Sequence, residues 1–86
     1  MSSDPVSTPA RATVTVDVRE DQRRHKEPFD RIMAAVKGLG ADEELLVINT
    51  FEPTPLYTVL GRQGFAHAAT QIGPDEWHVR FRRAAE

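Results

Sequence analysis

The period of the apolar positions changes twice along the chain, and each change marks an element. In TVTVDV, residues 13–18, Val14, Val16 and Val18 alternate with Thr13, Thr15 and Asp17. β-Branched residues at a period of two predict a strand with one buried face. The segment from Arg19 to Glu27 is charged and aperiodic and reads as a loop. Phe29, Ile32, Met33 and Val36 then fall at i, i+3, i+4 and i+7, one face of a helix. Pro28 suits its first position, where the missing N–H leaves nothing unpaired. Lys37 suits its last turn, and Gly38 or Gly40 a left-handed cap. Glu44–Asn49, ELLVIN, is an apolar run of strand length that fits a sheet interior. Thr54 as cap, Pro55 at the first position and the stripe Leu56, Val59, Leu60 predict a second helix that stops at Gly64.

The last two segments, FAHAATQI (65–72) and EWHVRFRR (76–83), flank GPDE, a turn sequence. A hairpin turning at Pro74–Asp75 pairs Ile72 with Trp77, Thr70 with Val79 and Ala68 with Phe81, and these six are expected to face the core. His67, His78, Arg80 and Arg82 are then expected on the opposite face with Thr15 and Asp17. The order is strand–helix–strand–helix–strand–strand, and right-handed crossovers put both helices on one side of the sheet. The expected fold class is α+β: a two-layer α/β sandwich, βαβαββ, with a four-stranded mixed sheet and two helices on one face. Residues 1–12, rich in Ser, Thr and Pro, are expected to form a disordered N-terminal tail. Residues 13–84 are expected to form a single domain.

Composition narrows the chemistry. The chain has 86 residues, 40% of them hydrophobic and 28% charged, with a formal net charge of −2. This suits one small soluble domain with a modest core. The sequence contains no cysteine, so it offers no disulfide, thiolate metal site or cysteine nucleophile. Its serines, Ser2, Ser3 and Ser7, all lie in the expected tail, so a Ser–His–Asp triad on the folded part is excluded. No apolar run reaches the ~18–20 residues of a membrane span, and the first residues lack the pattern of a secretion signal. The expected location is the cytoplasm. Of the 11 basic residues only Arg62 falls between Gly38 and Glu76, while Asp42, Glu43, Glu44, Glu52, Asp75 and Glu76 lie in or at the end of that stretch. Such polarity favours oriented docking to a partner. Without a basic surface or exposed aromatics interleaved with it, nucleic acid is not the expected partner.

The candidate site is the edge where the parallel strands end and both helices begin, because open α/β sheets bind ligands there. Arg23, Arg24, His25 and Lys26 precede the first helix; Glu52 and Tyr57 flank the start of the second; His78 is expected near the same edge. Helix N-termini with a basic loop suit a small anion or an acidic group of a protein. A solvated loop, its charges offset by Glu20, Asp21 and Glu27, is the plainer reading. His25, Glu52 and His78 together would make a zinc or iron site, although no short His spacing supports one. No cofactor is expected, and the chain is read as a non-catalytic binding or adaptor domain.

The passages VDVRE, RHKEPF, LLVIN, EPTPLYTVL and WHVRF, in this order, resemble those of a domain-of-unknown-function family related to TusA/SirA-like proteins. The resemblance covers about residues 13–83, and its most specific part runs from Asn49 to Tyr57. It implies a two-layer βαβαββ fold. TusA-like proteins carry persulfide sulfur on a cysteine in a Cys-Pro-x-Pro motif at the first helix. Aligning Pro28 with the second proline sets His25 at the cysteine and Lys26 at the first proline, so sulfur carriage does not transfer. The resembling branch commonly has His-Asp-Pro where this chain has Phe51, Glu52 and Pro53, and its members often stand beside hemerythrin-like domains and nitrogen-oxide metabolism. The resemblance thus implies an accessory role in a sulfur-transfer or nitrogen-oxide pathway as the alternative to an adaptor.

Overall fold

A computed structural model of the chain describes residues 12–84. The expected tail lies outside them, except that Ala12 already opens the first strand. The elements are β1 (Ala12–Asp17), α1 (Arg19–Arg23), α2 (Phe29–Lys37), β2 (Glu43–Asn49), α3 (Thr54–Arg62), β3 (Phe65–Gly73) and β4 (Glu76–Arg83). The four strands form one mixed sheet in the order β1-β2-β4-β3. β1 runs parallel to β2, with Val14 beside Leu45 and Val16 beside Val47. β4 is antiparallel to both of its neighbours.

The alternating valines and the ELLVIN run place their large side chains as their periods require. Val16, Leu45, Val47, Val79 and Phe81 form a buried cluster on one sheet face, and Ile32 and Val36 of α2 and Leu56 and Leu60 of α3 join the same cluster. Both long helices therefore cover one face, giving the α+β sandwich that the element order predicts. Val18 lies just past β1, wholly buried, and its N–H donates to the Ile48 carbonyl at 3.0 Å.

The charged segment after β1 is not all loop. Arg19–Arg23 form α1, held on its surface by Glu20 with Arg24 at 2.8 Å, an i,i+4 pair. It ends in a Schellman turn: the His25 N–H donates to the Gln22 carbonyl (3.1 Å) and the Lys26 N–H to the Asp21 carbonyl (2.8 Å). His25 has φ 59, the left-handed conformation that glycine usually supplies at this position. The two long helices start one residue off the expected positions. Pro28 and Pro53 are the residues before the first helical ones, and Thr54 makes no side-chain cap. Gly38 closes α2 with φ −89, so the left-handed glycine is Gly64, φ 87, between α3 and β3.

The hairpin register also departs from expectation. Next to the turn, Gly73 pairs with Glu76, which is the register counted from Pro74–Asp75. A bulge between Gln71 and Gly73 then inserts one residue, and every pair beyond it slips. Ala69 faces Val79, His67 faces Phe81 and Gln71 faces Trp77. Ala68, Thr70 and Ile72 therefore leave the core, and Ile72 is 56% exposed. His67 moves to the helix-covered side, away from His78, which faces Thr70. Phe65, buried against the core, holds the slipped register. Trp77 keeps the expected side but is only half-buried, outside the core cluster.

Leu45→Ala is expected to cost about 2–5 kcal/mol in chemical denaturation, because a wholly buried side chain leaves a cavity. Ile72→Ala should change stability by no more than about 0.5 kcal/mol, the usual range for a surface position.

Candidate functional site

The carboxyl end of β2, the segment between α1 and α2, and the starts of α2 and α3 border a cleft of about 460 Å³. Its walls are apolar: Phe29 and Ile32 of α2 face Pro55, Leu56 and Val59 of α3, with Phe51 and Pro53 from the loop between β2 and α3. Among the described residues three large hydrophobic side chains are exposed, and two of them, Phe29 and Phe51, border this cleft. His25, Lys26 and Glu27 supply the charged part of the lining. Lys26 makes no ion pair with a described residue.

The deeper polar groups are already engaged. Asn49 ends β2, 1% exposed, and its side-chain amide donates to the Val47 carbonyl at 3.1 Å. Gln22 of α1 ties this end of the sheet together. Its side-chain oxygen accepts from the Thr50 N–H at 2.7 Å and from the Thr50 hydroxyl at 3.0 Å. The helix starts are also occupied. The Phe29 N–H donates to the Glu27 carboxylate at 3.1 Å. At α3 the Thr54 N–H donates to the Glu52 carbonyl (2.9 Å) and the Leu56 N–H to the Pro53 carbonyl (3.0 Å), while Pro55 has no N–H. The cleft is thus an apolar recess with a cationic rim, and local acceptors take up those N–H groups.

The residues singled out in the sequence are only partly brought together. His25 and Lys26 line the cleft; Arg23 and Arg24 lie on exposed α1 and pair with Glu20. Glu52 stands beside the cleft and accepts from the Tyr57 hydroxyl at 3.1 Å. Tyr57 turns toward β3, where its ring stacks on His67 with centroids 3.8 Å apart and planes 6° from parallel. His78 is elsewhere: it projects from the uncovered sheet face, with Nε2 2.6 Å from Glu76. The alternative trio of His25, Glu52 and His78 is not assembled, and no group of three acidic or histidine side chains among the described residues is placed to hold a metal. Sequence reading missed Gln22, Phe29 and Phe51 as site residues. The available signal was two phenylalanines, each within two residues of a proline at a helix start.

The uncovered face is more neutral than its basic residues suggest. Glu44, 8% exposed, accepts from Thr13 Oγ1 and Arg80 Nε, both at 3.1 Å. A second chain crosses the sheet: Arg19 binds Asp17 (2.8 Å) and Glu76 (3.1 Å), and Glu76 meets His78. Hydrogen bonding from the Arg19 guanidinium holds the Asp17 carboxyl below its ordinary range. Burial, reinforced by the hydrogen bond to Glu52, pushes the Tyr57 hydroxyl up to about 12. No helix among the described residues is long and apolar enough to cross a membrane.

A lowered folded-state value stabilises the fold above the ordinary Asp range, and that contribution disappears as pH falls through it. Asp17→Asn should therefore lower the urea midpoint at neutral pH, with the gap to the parent protein closing as the pH falls below the ordinary Asp range. Tyr57 is the single tyrosine, so tyrosinate absorbance reports it alone. Its titration should centre near 12 in the folded protein and move down toward the ordinary value in Glu52→Gln.

Residues 15–83 match the family model described as Uncharacterized conserved protein (DUF2249), and no curated protein or solved structure matches the chain. The matched stretch takes in α1, α2 and α3, β2, β3, β4 and the second half of β1. The chain belongs to this family of uncharacterised conserved proteins.

Proposed function

We propose that this domain is a non-catalytic binding module that seats an apolar side chain of a protein partner in the cleft between α2 and α3, with a carboxylate of that partner against His25 and Lys26. The observation that carries this reading is the exposure of Phe29 and Phe51 at the mouth of an apolar recess. Large apolar groups left in water at one concave place mark a contact surface. The cation at the rim gives the partner its sign. A small inorganic anion fits the cleft less well, because the walls are apolar and local acceptors already engage several N–H groups at the helix starts.

The conformation of His25 supports the same reading. A non-glycine residue in the left-handed region costs about 1 kcal/mol or more, and a strained residue beside a cleft motivates a functional role for its side chain. In this reading the imidazole faces the partner's carboxylate, and the Schellman turn sets its position.

Backbone-amide NMR titration with N-acetylphenylalanine, with an acidic phenylalanine-containing peptide and with inorganic phosphate tests the proposal. Shifts from the first two should concentrate in residues 22–32 and 49–59 and be reduced in Phe51→Ala. His25→Gly should raise the denaturation midpoint while weakening the peptide. Shifts caused equally by phosphate would favour the small-anion reading, and shifts confined to the uncovered sheet face would remove the cleft from consideration.

A further inference from the structure

Among the described residues β3 is the longest strand, nine residues, and it stands at the edge of the sheet with β4 as its one hydrogen-bonded neighbour. Every second residue of an edge strand turns its N–H and C=O outward, ready to pair with another strand. Proteins usually protect such an edge with Lys, Glu, Pro or a short strand. Phe65–Gly73 reads FAHAATQIG and contains no Lys, Arg, Asp, Glu or Pro. Its middle is small: Ala66, Ala68, Ala69 and Thr70. Its far end carries Ile72, the third exposed large hydrophobic side chain. The other edge strand, β1, has six residues, and Arg31 donates to the carbonyl of its last residue, Asp17.

The charges around β3 lie at its two ends and have opposite signs. Arg62, the last residue of α3, precedes the strand by three positions, and Asp75, in the turn, follows its last residue by two. Both are exposed, and neither makes an ion pair among the described residues. An antiparallel copy reverses the strand, so it brings Arg62 of one chain to Asp75 of the other at both ends. A parallel copy would set like charges together.

We propose that β3 is a self-association edge: two copies of this chain pair antiparallel along it about a two-fold axis near Ala69, joining two four-stranded sheets into one of eight strands. The edge is self-complementary, as an isologous interface requires. Alanine and threonine side chains let the two strands approach without obstruction, and pairing covers Ile72. Strand pairing alone buries less than the ~1,000 Å² of a durable interface, so the dimer is reversible and depends on concentration. No β3 residue lines the cleft, which stays open in the dimer. The two proposals therefore fail or stand separately.

Sedimentation velocity of the full chain over a concentration series tests it. The expected result is a monomer–dimer equilibrium that weakens with salt. Ala68→Lys, at an exposed position, sets like charges across the two-fold axis and should weaken the dimer about tenfold or more. The circular dichroism and thermal midpoint of the dilute variant should match the parent. Arg62→Glu should also weaken dimerisation, and adding Asp75→Arg should restore it, an outcome that a general loss of fold cannot produce. A parent protein that stays monomeric at millimolar concentration overturns the proposal, as does a dimer untouched by Ala68→Lys or one dissociated instead by Thr13→Lys on β1.

Discussion

The fold depends on β2 being enclosed on three sides. It lies between β1 and β4, and its Leu45 and Val47 side chains are wholly buried beneath the two long helices. A small domain has one modest core, so nearly all of its apolar stabilisation must pass through such a strand. The same enclosure fixes the position of Asn49. A strand that packs as far as Val47 delivers its next inward side chain to the floor of the cleft, where Asn49 is nearly inaccessible to water and is hydrogen-bonded to its own strand.

The candidate site follows from how the chain leaves the parallel strands. After β1 it passes through a short helix and a left-handed histidine before α2; after β2 it passes Phe51 and Pro53 before α3. Neither route supplies enough side chain to fill the gap between the helix starts, so the recess stays open and its phenylalanines remain partly in water. Gln22 holds the two routes together through Thr50. The charges here serve two ends. Those of Glu20, Arg23 and Arg24 hold α1 on its surface, whereas Lys26 is left without a described partner at the rim. On the opposite sheet face, Glu44 and Glu76 neutralise arginines that looked free in the sequence.

Element order, the two apolar periods, the turn at Pro74–Asp75 and the side of the sheet that carries the helices were legible in the residues themselves. Alternating valines and a 3,4-spaced helical stripe each bury one face whatever surrounds them, so local pattern was enough. The basic segment was legible as a candidate, and His25 and Lys26 do reach the cleft. Arg23, Arg24 and His78 do not, because helical phase and strand parity, rather than distance along the chain, decide where a side chain points.

What only the tertiary structure decided was the outcome of competitions between near-equal local choices. Nothing in AHAATQIG says whether Ala68 or Ala69 faces inward, because the two side chains are identical. A bulge beside Gly73, the burial of Phe65 and the stacking of His67 on Tyr57 settle it together. Likewise a charged nonapeptide carries no apolar period, and its helical turn exists because Gln22 and Val18 have the end of β2 to hold on to. Sequence alone therefore determined the layers and their order, since burial follows composition and period. Register and the gathering of the cleft were left to contacts between residues far apart in the chain, whose energies no local pattern records.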